Sequence, residues 1–119
     1  MEERRFDLED RLIDFALLVD EIVESLPSTK LANHIGNQLI RCGTAPALNY
    51  GEAQSAESTA DFIHKFKIIL KELRESRICL KIIQKKPLLN PERLVAIIKE
   101  NNELIAIFLK SIETAKKKK

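Results

Sequence analysis

Leu8, Leu12, Phe15, Val19, Ile22 and Leu26 recur at 4-3-4-3-4 spacing, the seam of a helix that packs in a bundle. Ile13, Leu17 and Val23 widen the stripe, so this first helix is expected to bury more than one face. Pro27-Ser28 ends it. A second helix begins near Ser28 or Thr29, either able to cap it, and uses Leu31, Ile35, Leu39 and Cys42. Gly43-Thr44-Ala45-Pro46-Ala47 follows, with small residues where a helical core is ordinarily oily. Propensity alone would end the helix at Gly43, and Pro46 cannot donate to the carbonyl of Cys42. Leu48 and Tyr50 resume the apolar pattern, however. The helix is therefore expected to continue, bent, with Gly43, Thr44, Ala45 and Pro46 admitting a neighbouring backbone closely.

Ser58-Thr59-Ala60-Asp61 reads as the next start, a hydroxyl at the cap and a carboxylate three positions on. Phe62, Phe66, Ile69, Leu73, Leu80 and Ile83 form the core stripe of this third helix, which Pro87 stops. Asn90-Pro91-Glu92 opens the fourth as cap, first-turn proline and first-turn acid. Leu94, Ile98, Asn101, Ile105, Phe108 and Ile112 follow at heptad spacing, Asn101 being a polar core residue of the kind that fixes register. Four helices with short connections predict an all-α, antiparallel up-down-up-down four-helix bundle. Its expected extent is residues 1–115, with 116–119 as a basic C-terminal tail.

The apolar pattern exceeds what one bundle needs. Ile68, Ile78, Cys79 and Ile82 fall away from the third helix's stripe, and Val95, Ile97, Leu104 and Ile107 away from the fourth's. Helices apolar on more than one side are deeply buried or shared between subunits. So small a bundle has no deep interior, which predicts a homo-oligomer.

Composition agrees with a folded helical chain: 119 residues, 45% apolar and 32% charged. No apolar run approaches ~18 residues, and Met1-Glu2-Glu3-Arg4-Arg5 lacks the apolar core of a signal peptide. The expected location is cytoplasmic. Cys42 and Cys79 then read as free thiols packed as small apolar groups. Charge is sorted along the chain. Residues 1–26 carry nine acids and three bases, a net −6, while residues 62–86 carry eight bases and two acids, a net +6.

Gln38, Arg41, Gly43, Thr44, Asn49, Glu52-Ala53, Ala56-Glu57-Ser58, Asp61-Phe62-Ile63-His64-Lys65 and Leu70-Lys71-Glu72 stand in a distinctive order and spacing. This pattern resembles the bacterial four-helix-bundle proteins related to the 23S rRNA-intervening-sequence protein. The resemblance implies a homopentamer, a barrel of five bundles around a channel. It also implies kinship with the accessory variability determinant of diversity-generating retroelements, which works with a reverse transcriptase and RNA.

Asp61 and His64 form one carboxylate-x-x-His pair, but a di-iron bundle needs two pairs and two further inward carboxylates. No metal and no cofactor are expected. Asn49, Glu52, Glu57, Asp61 and His64 read instead as a buried polar network joining the second helix to the third. With no nucleophile beside a base and no phosphate loop, the chain is not expected to be an enzyme. The sharper surface is basic: Lys67, Lys71, Arg74, Lys81 and Lys85 fall within roughly 80° on a helical wheel, with Arg77 alongside. The expected function is a non-enzymatic oligomeric scaffold or adaptor binding a protein or nucleoprotein partner. The alternative is an RNA- or DNA-binding ring that uses this basic face, unless the acidic first helix neutralises it.

Overall fold

Side-chain oxygens fix where two of the helices begin. In the computed structural model, which describes residues 8–118, Thr29 Oγ1 accepts from the amide of Ala32 at 3.1 Å. Ser58 Oγ accepts likewise from Asp61 at 3.1 Å. Each satisfies an amide that the first helical turn leaves without a partner. The four helices are α1 (Leu8–Glu24), α2 (Lys30–Ala53), α3 (Thr59–Lys85) and α4 (Val95–Lys117). Among the described residues there is no strand. No helix is long and apolar enough to cross a membrane.

α2 runs unbroken through Pro46, as the return of apolar residues beyond it implied. Before α4, Asn90 Oδ1 accepts from the amide of Glu92 at 3.0 Å and starts a short 3-10 turn, Pro91–Leu94. α4 continues through Lys116 and Lys117, so the expected boundary before a basic tail lies inside a helix. Cations in a last turn suit the negative end of the helix dipole. The acidic residues of segment 1–7 and the final Lys119 lie outside the described residues.

α2 packs against α1 and α3, α3 also against α4, and α1 more loosely against α4. α1 and α3 therefore occupy opposite corners of the bundle. Leu12, Phe15 and Val19 of α1 meet Leu39 and Cys42 of α2, Ile69, Leu73 and Leu80 of α3, and Leu104 and Phe108 of α4 in one buried core. The loose α1–α4 edge carries an ion-pair clamp. Arg11 donates to both carboxylate oxygens of Glu100 at 2.9 and 2.7 Å, and to Glu103 at 3.0 Å.

The core of α4 differs from the heptad expectation. Leu94, Ile97, Asn101, Leu104, Phe108, Ile112 and Ala115 are buried, whereas Ile98 and Ile105 are half-buried. α4 is wedged between α1 and α3, which centres its buried face on the 3.6-residue period and turns Ile97 and Leu104 inward. Asn101 donates to the carbonyl of Leu73 at 3.2 Å, while its own side-chain oxygen has no partner. Cys79, expected off the stripe, is buried on the flank of α3 that faces α2. Leu31, expected in the core, sits in the first turn of α2 at the edge of the bundle and is exposed.

Candidate functional site

Lys67, Lys71, Arg74, Arg77, Lys81 and Lys85 are all exposed along α3. Among the described residues only Lys71 has an anionic partner, Glu72 Oε2 at 3.9 Å. The acids of α1 (Glu9, Asp10, Asp14, Asp20, Glu21 and Glu24) are exposed at the opposite corner, so they do not neutralise this stripe within one chain. Lys67, Lys71 and Arg74 face Lys116 and Glu113 across an α3–α4 groove of about 410 Å³, with Leu70, Leu109 and Ile112 beneath. Apolar groups interrupt the cations, for Ile78 is 54% and Leu109 39% exposed. The face is amphipathic rather than uniformly basic.

The expected polar network between α2 and α3 is not where the sequence suggested. Glu52, Glu57 and His64 are exposed, and Asn49 is half-buried. These five residues share one bond, from the backbone amide of Glu57 to Asp61 Oδ2 at 3.1 Å. Asp61 otherwise receives Lys65 Nζ at 2.9 Å. That bond, with the Glu57 amide, holds its carboxyl below the usual range. The α2–α3 turn is short and lies at the end of the bundle, so its polar groups reach water instead of one another.

The polar contact that does join these helices lies further along them. Arg41 donates to Gln38 Oε1 and Glu75 Oε1, both at 3.1 Å, and more distantly to Glu72 Oε1 at 3.5 Å. Ser76, fully buried, donates to the carbonyl of Glu72 at 3.0 Å, and its hydroxyl oxygen lies 3.3 Å from Cys42 Sγ. Gln38, Arg41 and Glu72 of the resemblance pattern thus come together. Burial, then the neighbouring Glu75, pushes the Glu72 carboxyl up, while the bond from Arg41 pulls Glu75 down. Cys42 and Cys79 are free and buried, and interaction with Cys42 together with burial pushes the Cys79 thiol up. The cations and carboxylates are mutually engaged, an arrangement suited to holding two helices in register. The signal in the sequence was Glu72, Ser76 and Cys79 at helical spacing on one flank of the apolar stripe.

This contact makes a pH prediction. In Arg41→Met, two neighbouring carboxylates lose their shared cation, and the folded-state pKa of Glu72 rises further above its unfolded value. A carboxyl raised in this way costs stability as pH climbs through that window, because the unfolded chain ionises first. The variant should therefore melt below the wild type at pH 7, with the gap closing as pH falls toward about 4, the range in which an unperturbed Glu in the unfolded chain also takes up its proton. Thermal melts across that range test this; a gap that widens in acid contradicts it.

At the small-residue segment a side chain of α1 seats directly on the backbone of α2. An ideal Cβ on Gly43 would lie 2.6 Å from Cγ2 of Val19 and 3.2 Å from its Cβ, so Val19 fills the space that any side chain at 43 would need. Thr44 turns its hydroxyl back to the carbonyl of Ile40 at 2.6 Å, and Ala45 is half-buried. Pro46 is buried within the helix.

The family model described as 23S rRNA-intervening sequence protein matches residues 5–110. A crystal structure from Bacteroides thetaiotaomicron VPI-5482, a protein of unknown function from the S23 ribosomal protein family, superposes with a TM-score of 0.78. It shares 25% sequence identity, and the match covers 87% of this chain and 96% of that one. No curated protein matches the chain.

Proposed function

Because the chain belongs to the 23S rRNA-intervening sequence protein family, we propose that it works as a non-enzymatic, self-assembling helical scaffold that binds a protein or nucleoprotein partner. The observation that carries this is the apolar surface left on the single bundle. Leu48 is 73% exposed, Val95 65%, Leu17 58% and Ile13 42%, in addition to Ile78. Large side chains exposed on both outer sides of so small a bundle mark surfaces that are covered in use. The names of the family and of the solved relative, both ribosomal in wording, fit a nucleoprotein setting for the partner. The retroelement resemblance makes a reverse transcriptase with its RNA one form that partner takes.

The assembly is a homopentamer on this reading. Light scattering coupled to size-exclusion chromatography should give about five times the 13.6 kDa chain mass. A monomer at micromolar concentration would refute the scaffold.

A second reading, RNA or DNA binding on α3, is favoured by one observation: Lys67, Arg74, Arg77, Lys81 and Lys85 make no ion pair among the described residues. Held phosphates release counterions, so affinity for a generic RNA should fall steeply between low and moderate salt. A flat salt response would discard this reading.

A further inference from the structure

We infer that the acidic outer face of α1 in one copy docks onto the basic, apolar-floored α3–α4 face of a second copy, head to tail. This deepens the scaffold reading and rests on it. The two faces match in kind. On α1, Ile13 and Leu17 stand one turn apart and exposed, among Asp10, Asp14, Asp20, Glu21 and Glu24. At 100° per residue, Asp10, Ile13, Leu17, Asp20 and Glu24 fall within about 80° of one another. On the other side, Leu109 lines the groove with Lys67, Lys71, Arg74 and Lys116, and Ile78 stands exposed one turn beyond Arg74 on α3. Each face sets apolar groups among charge of one prevailing sign, acidic on α1 and basic on the other, where Glu113 is the one acid lining the groove.

The occupant is a second copy for a geometric reason. α1 and α3 sit at opposite corners of the bundle, so the two faces cannot meet within one molecule. Every copy carries both halves of the contact, and joining unlike faces is a heterologous contact that repeats from copy to copy. Such a contact closes into a ring when its rotation allows, whereas a self-complementary patch would stop at a dimer. The apolar groups supply the buried area, and the opposite charges set which faces pair and how. A bare phosphate backbone would have no use for Ile78 and Leu109. That is why a protein face is the occupant and nucleic acid the competing outcome.

The test is charge reversal on each face separately and together. One variant carries Asp10→Lys, Asp20→Lys and Glu24→Lys; the other carries Lys67→Glu, Lys71→Glu and Arg74→Glu. All six positions are exposed, and unchanged circular dichroism would show that the fold is kept. Each one-sided variant should associate on the order of 100-fold more weakly, like charges now facing one another. Combining all six changes in one chain, so that every contact again pairs opposite charges, should restore assembly. A wild-type oligomer whose mass neither variant alters would overturn this docking and leave the scaffold intact. A wild-type monomer would overturn both. Loss of generic RNA binding in the α3 variant with its mass unchanged would assign the basic face to phosphate and overturn the docking. Should the triple variants fail to fold, Leu17→Asp alone must still lower the mass, and an unchanged mass would overturn the docking.

Discussion

Gly43→Leu is expected to destabilise the bundle more than replacement of any single surface lysine. Two opposing effects decide the size of the loss. Leucine has the better helix propensity, by up to about 1 kcal/mol. Against this, even the first carbon of the new side chain would sit 2.6 Å from a methyl of Val19. Val19 cannot swing away, because a β-branched side chain in a helix has one strongly preferred rotamer, and it is fully buried. α1 and α2 must part, and overpacking of this kind costs about 1–3 kcal/mol or more. Gly51→Ala is the control. Nothing lies within 4 Å of its Cβ position, so the same release from glycine should stabilise by up to about 1 kcal/mol. Adding Val19→Ala to Gly43→Leu should recover part of the loss. An unchanged melting temperature and an unchanged oligomer mass in Gly43→Leu would remove the close-contact argument.

The opposite signs expected at Gly43 and Gly51 show what the sequence can reveal. Both glycines lie in α2, and only the pattern around them separates the two. Thr44, Ala45 and Pro46 beside Gly43 signal a shared small-residue surface, whereas Gly51 stands alone among polar neighbours. Helix starts were legible for the same local reason: Thr29, Ser58 and Asn90 cap within two or three residues of themselves. What depends on the partner helix was not. Ile97 and Leu104 look peripheral on a lone heptad wheel and become core only because α4 has two neighbours. Arg41 and Glu75 are 34 positions apart, and no local rule pairs them. The basic stripe was plain in the sequence, but whether acidic α1 covers it in the same chain depended on the corner each helix takes. Asp61 and His64 do not pair; Lys65, one position further along α3, takes Asp61 instead.

Phe108→Ala should cause the larger loss, about 3–5 kcal/mol, a substantial part of the roughly 5–15 kcal/mol that holds a domain folded. Alternating helix directions bring the end of α2, the start of α3 and the last turns of α4 to one end of the bundle. Four aromatic rings meet there. Phe108 is fully buried, with its centroid 4.9 Å from Phe66 in an edge-on arrangement and 6.2 Å from Tyr50, also edge-on. Phe66 in turn lies 4.1 Å from Phe62 and 6.1 Å from Tyr50. Removing the Phe108 ring leaves a void between three helices that cannot all close at once, and it also forfeits edge-on contacts worth about 0.5–1.5 kcal/mol each. Phe108→Leu, which keeps more of the volume but loses the same edge-on contacts, should cost less than the alanine change, about 1–3 kcal/mol. Because Phe108 is buried inside one subunit, the loss should appear as a lower urea midpoint with the mass of the folded assembly unchanged. A midpoint within error of the wild type would mean the three helix ends are held by something other than this ring. A change of mass at full stability would place Phe108 at a subunit contact, contrary to its burial here.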